Sequence, residues 1–495
     1  MHDTAGRAGD GALDAAIGRR RGPEHGALSP RTRLLLEGPV ATTLLRLAAP
    51  NVLVMVLQAT VSTMDAVFVG WLGSEALAGV ALVFPLVMLM QTMSAGGMGG
   101  GVASAVARAL GGGRRADANA LVVHACVIAL VMAGCFTMVF GLGGPALYHA
   151  MGGRGEVLDA AVRYSRVLFG GALAYWLFNT LGSVIRGTGN MALPASVMVA
   201  SSVLYIALSP ALILGWGPLP RIGIAGAAAA SVASFTLGSL ALFAFLFSRR
   251  SLVRPTRRGL RLQPALFLEI LRVGAPGSLN TLFTNLTVVV LTSLVGPFGG
   301  AALAGYGLGA RLEYLQIPIV FGLGSALVTM VGTSVGAGNR ARALRVAWAG
   351  TAMAAAVTGV IGILAALLPH AWLGLFTTDP DVLAAGSRYL RMVGPFYGFF
   401  GAGLALYFAS QGAGRLLWPL VATFTRLMIA GVGGWLATRW LGGGLTELFA
   451  AMAVALMTFG MMNVAAVRVG SWRIAPKWTT GIPSSLKRNS LEGKS

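Results

Sequence analysis

Twelve apolar runs divide most of this chain, near residues 47–70, 80–107, 119–143, 165–186, 192–214, 224–248, 271–295, 303–333, 344–368, 387–410, 416–439 and 446–468. Each is long enough for a helix to cross a bilayer, which takes about 20 apolar residues. The expected fold is therefore an all-α polytopic membrane protein of about twelve transmembrane helices. Composition agrees with this. Only 11% of the 495 residues are charged and 56% are hydrophobic, whereas a soluble domain carries roughly 25% charged residues. Too few charges remain to wet an ordinary soluble enzyme, and the apolar content excludes disorder as the main state. The 70 glycines do not count against helix here, because small residues let helices approach closely in membranes.

The net charge of +21 comes from 37 Lys and Arg against 16 Asp and Glu. These bases sit in the gaps between apolar runs. A nucleic-acid surface would need a basic patch interleaved with aromatics on a soluble fold, so the bilayer is the expected partner and nucleic acid is not. Alternating the runs from an inside N-terminus puts 28 of the bases in inside segments and 7 in outside loops, with Arg311 and Arg426 inside spans. The positive-inside rule then predicts two cytoplasmic termini in a cell (inner) membrane. Cys126 and Cys135 share one run and lie about 13 Å apart on a helix, too far for a disulfide. Residues 1–38 have no apolar stretch of signal-peptide type. They read as a disordered cytoplasmic tail, and 471–495 as a second.

The chain also repeats itself. Leu45-Arg46-Leu47-Ala48-Ala49-Pro50 returns as Leu271-Arg272-Val273-Gly274-Ala275-Pro276, and Ala76-Leu77-Ala78-Gly79 as Ala302-Leu303-Ala304-Gly305, both displaced by 226. Tyr164 and Arg166 match Tyr389 and Arg391 at 225, as do Gly187-Thr188-Gly189 and Gly412-Ala413-Gly414. About six spans per half keep both halves in one orientation, which makes a parallel repeat about an axis along the membrane normal. The predicted organisation is an N-lobe over 39–248, a basic cytoplasmic linker over 249–265 and a C-lobe over 266–470. Two such lobes favour a transporter that rocks about a central site. No pore loop repeats, as a channel would need. The five histidines (His2, His25, His124, His149, His370) are scattered, with no HExxH, GxSxG or GxxxxGK[ST] motif, which argues against a membrane enzyme or an ATP-driven motor.

Several motifs in this order are similar to those of the MATE family, the multidrug and toxic compound extrusion transporters. They are Asp65-Ala66-Val67-Phe68-Val69-Gly70-Trp71-Leu72-Gly73, then Arg186-Gly187-Thr188-Gly189-Asn190 with Pro194, and Gly223-Ile224-Ala225-Gly226-Ala227-Ala228. Arg311-Leu312-Glu313, Pro318 and Gly322 follow, and then Val331-Gly332-Thr333-Ser334-Val335-Gly336-Ala337-Gly338. The resemblance covers about 38–470. It implies a secondary antiporter that expels organic compounds against an inflow of protons or sodium, without a cofactor or metal and as a monomer. A flippase for a lipid-linked precursor is the second reading, and a membrane enzyme the third.

Of the 16 acids, Asp65 and Glu313 lie well within spans, where a carboxylate normally faces a cavity or a partner. Asp65 shares a helix face with Gln58 and Ser62. It is either a hydrated, idle interfacial acid or a cation-linked carboxylate that takes up and releases a proton. The resemblance makes the acid at this position the N-lobe coupling residue. Where the family often has Asn-x-x-x-Asp-Pro, this chain has Tyr205 and Ser209 before Pro210, and Ser231 stands where the family often has Thr. None of these three adds a negative charge. One carboxylate suits a proton, whereas sodium prefers several oxygens and more than one carboxylate, so proton coupling is favoured. Gln58, Ser62, Asn179, Asn280 and Thr284 are expected to face the cavity or substrate, with Tyr175 and Trp176 either cavity or core. Arg311 and Glu313, two apart, do not face each other, and Arg426 is the candidate partner for Glu313. The three form either a structural brace or a charge that meets substrate. Two arginines against one glutamate would leave the C-lobe interior positive. Arg186 and Gln411 read as ordinary snorkelling residues at helix ends, and Gly96–Gly101 as a close helix contact.

Overall fold

The computed structural model describes residues 29–216, 220–256, 261–440, 442–470 and 472, and all regular structure among them is helical. Twelve long helices follow one another: α1 Val40–Gly70, α2 Ser74–Gly111, α3 Arg115–Leu142, α4 Gly155–Gly187, α5 Ala192–Leu214, α6 Ile224–Phe247, α7 Pro264–Phe298, α8 Gly300–Gly336, α9 Arg340–Leu367, α10 Pro380–Ala413, α11 Leu417–Arg439 and α12 Leu445–Arg468. Ten of these are continuous and apolar enough to span a membrane, and α4 adds an eleventh as two segments bent by 46° at Gly171. Its first segment carries Glu156, Asp159, Arg163 and Arg166. Those charges hid its start, so the run expected from residue 165 begins at 155. Large apolar side chains such as Leu53, Leu130, Leu237, Val360 and Leu367 point outward. That pattern fits a lipid solvent.

The ends of the chain correct the sequence reading. Residues 1–28 lie outside the described residues, but Pro30–Glu37 is a helix with Ser29 as its N-cap. Arg342 on α9 ties this helix down, donating to the Leu35 carbonyl at 3.0 Å and the Gly38 carbonyl at 2.7 Å. Of the second expected tail, Trp472 is buried and its Nε1 donates to Ser410 Oγ at 3.3 Å, while 471 and 473–495 lie outside the described residues. In the linker, 257–260 lie outside them too. The described part packs on α3: the amide of Arg254 donates to Asn119 and that of Gln263 to His124 Nε2.

The repeat is structural. Left-handed φ angles recur as Gly73 and Gly299, Gly113 and Gly338, and Gly189 and Gly414, at the displacements seen in the sequence. Gly79 packs on Ala160 and Ala161, and Gly305 packs on Ala385 and Gly386, one repeat later. One apolar core fills the first half from Phe68 to Val253 and takes in Leu266 and Ile270 at the start of α7, and another fills the second between Leu291 and Phe459. A third joins the halves, from Leu44 and Ala103 to Leu327 and Phe408.

The halves meet most closely at the end that carries Arg108, Arg114, Arg186, Arg342 and Arg415, here called the basic end. Gly111 on α2 lies against the Thr333 carbonyl on α8, and Gly336 on α8 lies against the Arg108 carbonyl on α2. These two contacts are related by a displacement of 225, so α2 and α8 cross on the molecular pseudo-twofold axis. Arg108 then donates to the Gly412 carbonyl at 3.3 Å, and Arg114 pairs with Glu269 at 3.3 Å. Higher on α2, a Cβ at Gly97 would sit 2.8 Å from the Ser278 amide, and one at Gly101 would sit 2.7 Å from that of Gly274. The glycine run at 96–101 is thus a close helix contact, as expected.

Candidate functional site

Asp65 lies one turn from the end of α1 opposite the basic end. Tyr205 on α5 donates its hydroxyl to Asp65 Oδ1. Tyr164 and Tyr175 on α4 lie within electrostatic reach of the same carboxylate, and Tyr175 is hydrogen-bonded to Ser231 on α6. Three helices, α4, α5 and α6, therefore bring hydroxyls toward the carboxylate that α1 carries. Ser209, one turn from Tyr205 on the same helix, is fully buried. Of the four residues expected at the coupling site, Asp65 and Tyr205 touch, Ser231 connects through Tyr175, and Ser209 stands beside them. Tyr164 was missed as a member, although its repeat match to Tyr389 had marked it. The cluster offers one titratable carboxylate among neutral oxygens, a set that can hold and release a proton.

The residues expected along the cavity fare differently. Gln58 is half-buried two turns along α1 from Asp65, and the side chain of Ser62 lies outside the described residues. Asn179 is engaged between helices. It is buried and donates to Ser94 Oγ at 2.9 Å and the Tyr175 carbonyl at 3.1 Å, fastening α4 to a widened π-helical turn of α2 at Met93–Met98. Asn280 is likewise buried, and its side-chain oxygen accepts from Thr423 on α11. Thr284 bonds back to the Asn280 carbonyl at 2.9 Å. Polar side chains at these depths bond each other because no water replaces the missing partner.

In the second half, Glu313 on α8 and Arg426 on α11 pair at 2.9 Å, and Tyr389 on α10 donates to the other carboxylate oxygen at 3.3 Å. The Arg426 guanidinium also lies 5.3 Å from the Phe400 ring and 5.8 Å from that of Phe459. Arg311 takes no part. It is exposed and turned toward Phe376, 5.9 Å from the ring. The expected positive C-lobe interior is corrected: among the described residues one arginine meets one glutamate there.

A narrow cavity, with room for about one water-sized molecule, lies between the halves, walled by α2, α4, α8 and α10. Gly96 and Phe321, Gly100 and Ser325, Ala103 and Val328, Ser183 and Phe408, and Arg186 and Gln411 all line it. Each pair is displaced by 225, so the cavity straddles the pseudo-twofold axis. Arg186 Nη2 donates to Ser183 Oγ at 2.7 Å, and Thr329 on α8 donates to the Arg186 carbonyl at 3.0 Å. Gln411 is fully buried; its Nε2 donates to the Gly96 carbonyl at 2.9 Å across the lobe boundary. Asn51 reaches from α1 to Ser325 Oγ at 2.6 Å. Arg186 and Gln411 are therefore not snorkelling residues. The sequence signal that would have found them is that they are repeat equivalents.

A family model described as MatE matches residues 50–211 and again 276–436. The chain belongs to the MatE family. The two matches start 226 residues apart and end 225 apart, so the MatE unit is the repeat itself and the two-lobe architecture follows from it. Among relatives, the chain is similar to a Bacillus subtilis protein named "Probable multidrug resistance protein YoeA", 29% identical over 75% of this chain and 81% of that one. It is also similar to a Shewanella oneidensis protein named "FAD transporter", 26% identical over 80% and 87%. A solved MATE transporter of the MOP superfamily in an outward-facing conformation superposes with a TM-score of 0.81, at 26% identity over 90% of this chain and 99% of the other.

Proposed function

We propose that this MatE chain is a secondary antiporter that exports organic compounds across the cell (inner) membrane in exchange for inward protons. The observation that carries the reading is Asp65: a carboxylate set within a span of the N-lobe, bonded to Tyr205 and within electrostatic reach of Tyr164 and Tyr175, with the uncharged Ser209 where a second acid would complete a sodium cage. Multidrug resistance in the name of the B. subtilis relative supports a broad set of organic substrates. Lobes at 39–248 and 266–470, joined by the linker 249–265, alternate access between the two faces. The basic end faces the cytoplasm, as the positive-inside bias directs. The lobe contacts gathered there support a state closed to the cytoplasm and open outward. Glu313 and Arg426 brace the C-lobe, and the protein works as a monomer.

The test is Asp65→Asn in proteoliposomes. Coupled efflux of a transported dye is expected to vanish, with expression and membrane insertion unchanged. Efflux at the wild-type rate would return Asp65 to the status of an idle interfacial acid.

A further inference from the structure

The linker between the lobes does more than join them. Residues 249–265 hold six arginines and no acid, and a run of like charge normally repels itself into a loose, solvated coil. This one is pinned. Arg115 on α3 donates through Nε to the Leu252 carbonyl at 3.3 Å, the Arg254 amide donates to Asn119 at 2.8 Å, and the Gln263 amide donates to His124 Nε2 at 2.9 Å. Ser251 Oγ donates to the Val253 carbonyl at 2.6 Å, and Val253 is fully buried in the first-half core. Holding like charges in a fixed strip costs entropy and repulsion, so a counter-charge is required. The chain supplies none: Arg249, Arg250, Arg254 and Arg261 are exposed, and among the described residues no carboxylate pairs with any of them. Arginines at the other end differ, since Arg163 and Arg166 share a helical segment with Glu156 and Asp159. Apolar side chains border the strip. Phe243 and Phe247, an edge-to-face pair with ring centroids 5.0 Å apart, are exposed on the last turns of α6, and Leu262 and Leu268 are exposed at the start of α7. Such side chains belong in hydrocarbon, so the basic strip beside them lies at headgroup level.

We propose that the linker is a binding strip for anionic phospholipid headgroups. The exposed arginines take the phosphates, and the acyl chains lie along Phe243, Phe247 and Leu268. Arginine suits this role because its planar donors match a phosphate in pairs. An anionic leaflet favours a basic cluster directly beside a span by about fivefold in binding for each base. The strip serves whichever leaflet it faces, so it stands apart from the exporter reading.

The experiment equilibrates the full chain in mixed micelles holding phosphatidylglycerol and phosphatidylcholine in equal amounts, repurifies it and quantifies the retained lipid by mass spectrometry. Wild type is expected to retain phosphatidylglycerol over phosphatidylcholine by at least about tenfold. The triple variant Arg249→Gln/Arg250→Gln/Arg254→Gln removes three charges and none of the pins, because Arg254 is held by its amide. Its preference should fall by at least about tenfold. Arg249→Lys/Arg250→Lys/Arg254→Lys keeps the charge and should keep most of the preference. Arg154→Gln/Arg163→Gln/Arg166→Gln removes the same charge at the other end and should keep all of it. At matched ionic strength, an excess of inorganic phosphate or of a short single-stranded DNA should leave the lipid in place. Displacement by either would assign the strip to a soluble anion and overturn the proposal. So would a wild type without preference, a glutamine triple that retains it, or an equal loss in the lysine triple or in the variant at the other end.

Discussion

The Glu313–Arg426 pair has side chains only 17% and 13% exposed, so each charge depends on the other. Removing one partner of such a pair costs up to about 3–5 kcal/mol, because the survivor is left buried and uncompensated. Glu313→Gln should therefore lower the melting temperature in detergent clearly, and the double variant Glu313→Gln/Arg426→Gln should recover much of the loss. A single variant that melts with wild type would mean that water already solvates the pair. Residues of this kind were legible in the sequence because charges are rare in apolar runs: Asp65, Glu313 and Arg426 stood out, and the pairing of the last two followed from a lack of other partners. Arg186 and Gln411 were not legible. Their positions at helix ends imply snorkelling, and the lobe boundary across which Gln411 and the Arg186 carbonyl are bonded exists only once two lobes dock. Asn179 and Asn280, both buried and bonded to neighbouring helices, were hard to read for a related reason, since a polar side chain in a span says nothing of whether it faces a cavity or a neighbouring helix.

At the level of helices, the crossing of α2 and α8 at the basic end depends on missing side chains. A Cβ at Gly111 would enter the Thr333 carbonyl, and one at Gly336 the Arg108 carbonyl. Gly111→Ala and Gly336→Ala should each destabilise the fold by about 1–3 kcal/mol, the range for overpacking, and by similar amounts because the two sites are equivalent. Gly134 on α3 is the control. It is exposed, and a Cβ there meets nothing within 4 Å. Gly134→Ala should be neutral or stabilising, by about 0.5–1 kcal/mol. Equal melting shifts for Gly111→Ala and Gly134→Ala would contradict the close crossing. Helix number was readable from hydropathy alone, and helix starts were not. The charged first turns of α4 look like loop, and the bend at Gly171 and the π-helical turn at Met93–Met98 leave no hydropathy signature.

For the whole molecule, the repeat fixed the architecture before any contact was known, because a displacement of 225 or 226 that persists through both halves leaves two lobes about one axis. Topology is testable from the linker. Single cysteines placed within 249–256, in a chain lacking Cys126 and Cys135, should react with an impermeant maleimide only from the cytoplasmic face; labelling from outside would invert the orientation. Coupling is the central claim, since one carboxylate among hydroxyls is what separates a proton site from a sodium cage. The most direct measurement is dye transport into inverted vesicles or proteoliposomes with proton and sodium gradients imposed separately. Transport should follow the pH gradient, persist with sodium absent throughout and stop when the proton gradient is collapsed. Transport that requires added sodium and ignores a collapsed proton gradient would contradict proton coupling through Asp65.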